Sequence, residues 1–256
     1  MLEAKIADGI GTVLINRPEK RNAMTAEMWE ALPGLLAGPA EDPAVRVLVL
    51  TGAGDTFCAG ADIGDLGRFA GQDKLSVPAE EALAAFPKPT IAMIRGFCVG
   101  GGCQLAAACD LRFAADDARF GITPGKLGIV YPLATTRRLV RLVGPAAAKY
   151  LLYSADLIGA EHAARIGFLD EVLTPDALAG RVAEFCRTVA SRSQLTLRSA
   201  KELVDLVAAG EDATERGRLW QAEVARAAVD GDTAEGIAAF LERRPPEFTW
   251  SGPTPR

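Results

Sequence analysis

Two short runs constrain the fold more than anything else in the chain. Val45 to Thr51 (VRVLVLT) and Thr90 to Ile94 (TIAMI) are close to continuously apolar. A strand with one wet face alternates polar and apolar residues. One that is apolar throughout is a buried strand. Ile10 to Asn16 (IGTVLIN) and Leu111 to Ala114 read as further strands, and Ala-rich Gln104 to Cys109 as a helix. Strands alternating with helices predict an α/β fold with crossover connections. Thr25 can cap a helix running to about Leu36, with Pro33 expected to kink it or end it early. After Thr135 the chain turns helical. Thr174-Pro175 is a start signal for a helix to about Arg187, and further helices are predicted over 196–209, 212–229 and 233–243. The 256 residues thus divide into a mixed core over 1–190 and a helical C-terminal region over 191–256.

Composition removes several classes of chemistry. There is one histidine, His162, so a Ser-His-Asp triad would have to use it and a His-rich metal site is excluded. The five cysteines form no CxxC pair, which predicts a reduced, cytosolic thiol set. A net charge of -5 argues against a nucleic-acid binder, which carries a basic face. The N-terminus, MLEAKIADG, lacks the apolar core of a signal peptide. Phe97 to Cys109, the longest low-charge stretch, is too short and Gly-rich to span a bilayer. The expected setting is the cytoplasm, with neither membrane nor nucleic acid as partner.

Two segments offer backbone amides to an oxyanion. Phe57-Cys58-Ala59-Gly60-Ala61-Asp62-Ile63 follows a strand and a turn, and its small residues let a ligand approach the main chain. Gly100-Gly101-Gly102-Cys103-Gln104 stands directly before a helix, whose N-terminus has free N–H groups and a positive dipole end. Two such amides on one carbonyl would stabilise an enolate or a tetrahedral oxyanion. Each run taken alone is also what tight turns and close packing require.

Taken together with their surroundings, these segments resemble the crotonase superfamily, the enoyl-CoA hydratase/isomerase family. The matching pieces are LINRPEKRNAM (14–24), VRVLVLTGAGDTFCAGADI (45–63), FPKPTIAMIRGFCVGGGCQLAAACDLRFAADDARFG (86–121), RLVGPAAAKYLL (141–152), AEHAARIGFLDEV (160–172) and AEGIAAFLERRPPEF (234–248). They lie in family order and cover nearly the whole chain. The resemblance implies an α/β spiral of ββα units with a C-terminal helical trimerisation region, assembled as a homotrimer or a dimer of trimers. It also implies an acyl-CoA thioester as substrate. No separate cofactor or metal is implied, since coenzyme A is part of the substrate. The thioester oxygen would sit between the amides of Ala61 and Gly101, with Ala59, Asp62 and Ile63 lining the substrate beside them. Asp62 reads as a structural cap rather than a catalytic acid. Asn22-Ala23 matches the segment that passes the adenine. Arg17, Lys20 and Arg21 cluster beside it, either as a local basic patch for the polyanionic CoA or as solvated surface cations.

The chain also departs from the family pattern. Hydratases of the family carry Glu directly after GGGC, where this chain has Gln104. They carry a second Glu four residues after the Phe of the xFG motif, where this chain has Pro124. Neither residue ionises, so the standard two-glutamate hydration is unsupported at both positions. The run RFGITPGKLGIVYP is similar to the methylmalonyl-CoA decarboxylase branch, in which a Tyr follows a comparable TP-x-x-LG-x-x-Y pattern. That branch usually has His where this chain has Ala61. Tyr131 is then either a working group of the site or a buried ring with its hydroxyl paired to backbone. Loss of CO2 from a malonyl-type CoA yields an enolate without a base, so decarboxylation is the leading expectation. An atypical hydratase or isomerase using a carboxylate from an unexpected position is the alternative. A non-catalytic acyl-CoA binder is a third. One of Arg137 and Arg138 could meet an anionic acyl tail, or both could lie on the surface.

Overall fold

In the computed structural model, residues 1–65, 67, 75–226 and 231–252 are described. The main sheet has six strands in the order β1 (Leu2–Ala7), β2 (Ile10–Ile15), β3 (Val47–Gly52), β4 (Thr90–Ile94), β6 (Leu111–Ala115), β9 (Glu171–Leu173). Only the β1–β2 pair is antiparallel; every later neighbour is parallel. The two apolar runs therefore lie side by side in the middle of the sheet, with Leu48 opposite Thr90 and Leu50 opposite Ala92. One face of the sheet packs on α1 (Ala26–Glu41), α2 (Ser76–Ala84) and α3 (Gly101–Ala108). The other packs on α6 (Pro175–Ala190) through Leu178, Val182, Cys186 and Val189. The two apolar strands are buried, as their sequence predicted.

Three features depart from the sequence reading. Strand β1 was not foreseen; it is the exposed edge, paired through a turn at Asp8-Gly9 where both residues have positive φ. That Asp-Gly pair is a hairpin signal of ordinary strength. Helix α1 begins where expected, with the Thr25 hydroxyl accepting from the Met28 amide, but it runs through Pro33 and Pro39 to Glu41. A proline inside a helix costs about 3 kcal/mol. Burying the side chains of Met28, Trp29, Leu32 and Leu36 contributes roughly 1.5–3 kcal/mol each, so packing holds the helix together. A second small sheet of β5 (Phe97–Val99), β7 (Arg119–Gly121) and β8 (Ile158–Gly159) was also unforeseen, because its strands are only two or three residues long.

The remaining helices are α4 (Leu133–Ser154), kinked at Gly144, α5 (Ala160–Arg165), α7 (Gln194–Ala209), α8 (Thr214–Arg226) and α9 (Asp232–Glu242). The predicted end of the third C-terminal helix, beyond 226, lies outside the described residues. Helix α7 is tied to the core by the Lys201–Asp110 ion pair at 2.8 Å and by Arg198 donating to the Pro87 carbonyl. No helix among the described residues is long and apolar enough to cross a membrane.

Candidate active site

The site is assembled by a short stretch of parallel pairing between loops. Cys58 bridges Cys98, with the Cys58 amide donating to Phe97 O and the Val99 amide donating to Cys58 O. Further on, Met24 bridges Ala61, with the Met24 amide donating to Gly60 O and the Asp62 amide donating to Met24 O. This pattern uses the Gly60 carbonyl and the Asp62 amide on either side of Ala61 but not the Ala61 amide itself. Ala61 N and Gly101 N have no acceptor among the described residues. They lie close together: the position of a Cβ on Gly101 falls 3.3 Å from Ala61 N, and that of a Cβ on Gly60 falls 3.4 Å from Gly101 N.

The glycines make this approach possible. Gly60 has φ of +109°, and a Cβ there would stand 2.9 Å from the Val99 carbonyl. Gly100 has φ of +53° as the residue before α3. Gly101 is the first residue of that helix, so its amide is one of the orphan donors at the positive end of the dipole. A Cβ on Gly101 would meet the Trp29 ring at 2.7 Å. Ala61 and Gly101, expected together from the sequence, thus lie close in space with neither amide bound to an acceptor among the described residues.

The residues of the 17–23 loop separate into two groups. Arg17 pairs with Asp62 at 2.5 Å and donates to the Ala23 carbonyl, so it clips the loop to the 59–63 segment. The guanidinium beside Asp62 holds that carboxyl below its usual range, and the Gly64 amide adds to the effect. Asp62 is thus a cap, as expected. Asn22 is fully buried with φ of +56°, and its amide donates to the carbonyls of Ala53 and Thr56 while its oxygen accepts from the Arg17 amide. Its side chain is occupied in holding the turn. Lys20 and Arg21 are exposed, Arg21 lying over the Phe97 ring. Ala59 donates to the Arg21 carbonyl, and Ile63 is 76% exposed beside it.

Along the first turns of α3 lies a small cavity of ≈ 10 Å³, about the space for one water centre. Gln104, Cys103 and Ala107 of α3 line it, with Tyr131, Thr135, Arg138 and Leu139 from the segment around the start of α4, Ile122, and Glu80 of α2. The Tyr131 hydroxyl is 4.0 Å from the Cβ position of Gly100, which links the cavity to the start of α3. That hydroxyl has no hydrogen-bond partner among the described residues, so it is not a ring paired to backbone. Burial pushes its pKa up, and it stays a neutral donor at physiological pH. Pro124 is buried at the start of a 3-10 turn (Pro124–Lys126), where it fixes the backbone.

Glu80 was not a candidate from sequence. Only 1% of it is exposed. Thr135 Oγ1 lies 2.9 Å from both carboxylate oxygens, and Arg138 donates to Oε2 at 2.9 Å. Burial nevertheless pushes its pKa up to about 7. Arg138, one of the two arginines expected either at an acyl tail or on the surface, is drawn inward by this pair. Cys58 and Cys109 are pushed up to about 12 by burial, which keeps both as thiols at neutral pH. His162 of α5 lies with its ring tilted against Tyr150 of α4 and does not line the cavity. No cluster of three or more metal-ligating side chains occurs among the described residues.

The chain matches the family model for enoyl-CoA hydratase/isomerase over residues 5–251. It is similar to a crotonyl-CoA hydratase from Syntrophomonas wolfei, 36% identical over 249 residues, which are 93% of this chain and 94% of that protein. It is also similar to a 2,3-dehydroadipyl-CoA hydratase from Escherichia coli, 33% identical over 242 residues, 91% of this chain and 92% of the other. A solved structure of an enoyl-CoA hydratase/isomerase family member shares 38% identity with it, at a TM-score of 0.89 over 98% of this chain and 97% of that one. With the loop pairing and the glycine positions already described, these matches establish that the chain belongs to the enoyl-CoA hydratase/isomerase family and has its crotonase-type α/β fold.

Proposed function

We propose that this enzyme acts on an acyl-CoA thioester by way of a thioester enolate, and that its reaction is hydration or double-bond isomerisation of an enoyl-CoA. One observation carries the reading: the amides of Ala61 and Gly101 lie close together and neither has an acceptor among the described residues. The thioester oxygen bound there accepts two hydrogen bonds that strengthen as negative charge develops, worth roughly 3–4 kcal/mol per donor. Lys20 and Arg21 are exposed cations that would meet the CoA phosphates, while Arg17 is occupied in holding the loop. The relatives named hydratases support double-bond chemistry.

A second reading is decarboxylation of a malonyl-type CoA. It is favoured by Gln104 and Pro124, which leave the family's usual carboxylate positions uncharged, and by the unpaired Tyr131 hydroxyl. Against it, Glu80 lines the same cavity, where a substrate carboxylate would meet like charge. A panel of CoA thioesters followed by mass spectrometry tests both. Gain of one water marks hydration, loss of CO2 marks decarboxylation, and an unchanged mass with altered fragmentation marks isomerisation. Binding without turnover of any member would refute both. We further propose a homotrimer or dimer of trimers, since α9 leaves Ile237, Phe240 and Leu241 exposed and α7 leaves Val204 and Val207 exposed.

A further inference from the structure

We propose that Glu80 is the acid/base residue of this site, the carboxylate that exchanges a proton with the Cα carbon of the acyl-CoA in place of groups at 104 and 124. The inference rests on the thioester-enolate reading. In the step, the Cα–H bond breaks and its proton goes to a Glu80 oxygen. The electron pair enters the Cα–C bond, and the charge reaches the thioester oxygen between Ala61 N and Gly101 N. Return of a proton from Glu80 to Cα reverses it.

Three observations converge. Glu80 lines the cavity that also holds Gln104 and Tyr131, and Tyr131 reaches the start of α3, where the Gly101 amide stands. Its carboxylate is not saturated. Thr135 has one hydroxyl proton to share between the two oxygens, Arg138 supplies one bond and Ser76 another. A carboxylate has about four acceptor sites, so one remains for a transferred proton. Finally, both protonation states are accessible. Burial raises the pKa to about 7, against the lowering by Thr135 and Arg138. A group poised near neutrality is the efficient proton shuttle. The ionisable groups facing it are Arg138 of α4, Tyr131 ahead of α4, Cys103 of α3 and Glu81 of its own helix. The plain alternative is an ion pair that only clips α2 to α4.

The test is deuterium exchange at Cα of butyryl-CoA in D2O, read by mass spectrometry, alongside calorimetric binding of the same thioester. This probe needs an enolate and a base but neither water addition nor loss of CO2. The wild type should exchange, with a rate rising as pH passes about 7. Glu80→Gln should lower the rate about 10²–10⁴-fold, abolish that limb and leave binding within a few-fold. Glu80→Asp should restore part of the rate. Should Glu80→Gln fold poorly by circular dichroism, Arg138→Gln serves instead. It removes the cation that lowers the Glu80 pKa, so the limb should move to higher pH. Exchange by a folded Glu80→Gln at the wild-type rate, or an unmoved limb in Arg138→Gln, would overturn the role of Glu80 alone. A wild type that binds butyryl-CoA without exchange would overturn the enolate reading and the role of Glu80 with it.

Discussion

Replacing Gly101 separates the donor from the space around it. Gly101 is the first residue of α3, where its N–H has no helical acceptor and where proline is well tolerated. Gly101→Pro therefore removes one oxyanion donor without removing a helix hydrogen bond. Both Gly101→Pro and Gly101→Ala place a Cβ 2.7 Å from the Trp29 ring and 3.3 Å from Ala61 N. Trp29 must shift in either variant, at a cost of roughly 1–3 kcal/mol in stability. The alanine variant keeps the N–H and so controls for the clash. Loss of the donor alone is worth about 2.7–4 kcal/mol, or roughly 10²–10³ in kcat. The expected order is wild type, then Gly101→Ala, then Gly101→Pro slower by at least about a hundredfold. The assay is Cα exchange of butyryl-CoA or turnover of whichever thioester the panel identifies, with circular dichroism on each variant. If folded Gly101→Pro matches Gly101→Ala in kcat, the Gly101 amide does not hold the developing oxyanion and the reasoning fails.

Asn22→Ala leaves two carbonyls and an amide without their partner and should lower stability by about 2–4 kcal/mol in urea denaturation, with native-like stability counting against the structural role. Glu80 also makes stability depend on pH. Its folded pKa is about 7 against an ordinary 4.5, so the folded state binds the extra proton between those values, and stability falls as pH rises from 4.5 to 7 and then levels. That loss is of order 3 kcal/mol, and the difference between wild type and Glu80→Gln across this window should show it in thermal or chemical melts. Gln104→Glu puts a second carboxylate in the same cavity, which should move the Glu80 limb of the exchange profile to higher pH. Light scattering should report a trimer or hexamer, and charges at Ile237 and Phe240 should dissociate it; a wild-type monomer at micromolar concentration would contradict the assembly.

Much of the architecture is written in local pattern. The apolar runs at 45–51 and 90–94 read as buried strands because they carry almost no polar face to turn to water. Gly60 and Gly100 mark places where the backbone turns left-handed, and Gly101 one where it comes close to another chain segment. Thr25 and Thr174 marked helix starts that the structure keeps. Local pattern failed where packing outweighs propensity. Proline would end α1 in isolation, yet the buried faces of Trp29, Leu32 and Leu36 carry the helix past Pro33 and Pro39. The strands of the small sheet are too short to show a period and exist only through their partners.

The site divides in the same way. The sequence by itself pointed to the backbone segments around Ala61 and Gly101 and to uncharged residues at 104 and 124, since both are properties of residue type at a motif position. It said nothing of Glu80, a glutamate in the run PAEEAL. Nothing local distinguishes it from Glu81, one residue on, which is exposed and pairs with the outer side of Arg138. A helix turns by about 100° per residue, so adjacent side chains face different surroundings. Only the docking of α2 against α3 and α4 decides that Glu80 is the one turned inward, beside Thr135 and Gln104. Desolvation then raises its pKa, and desolvation is a property of the packed structure rather than of the chain.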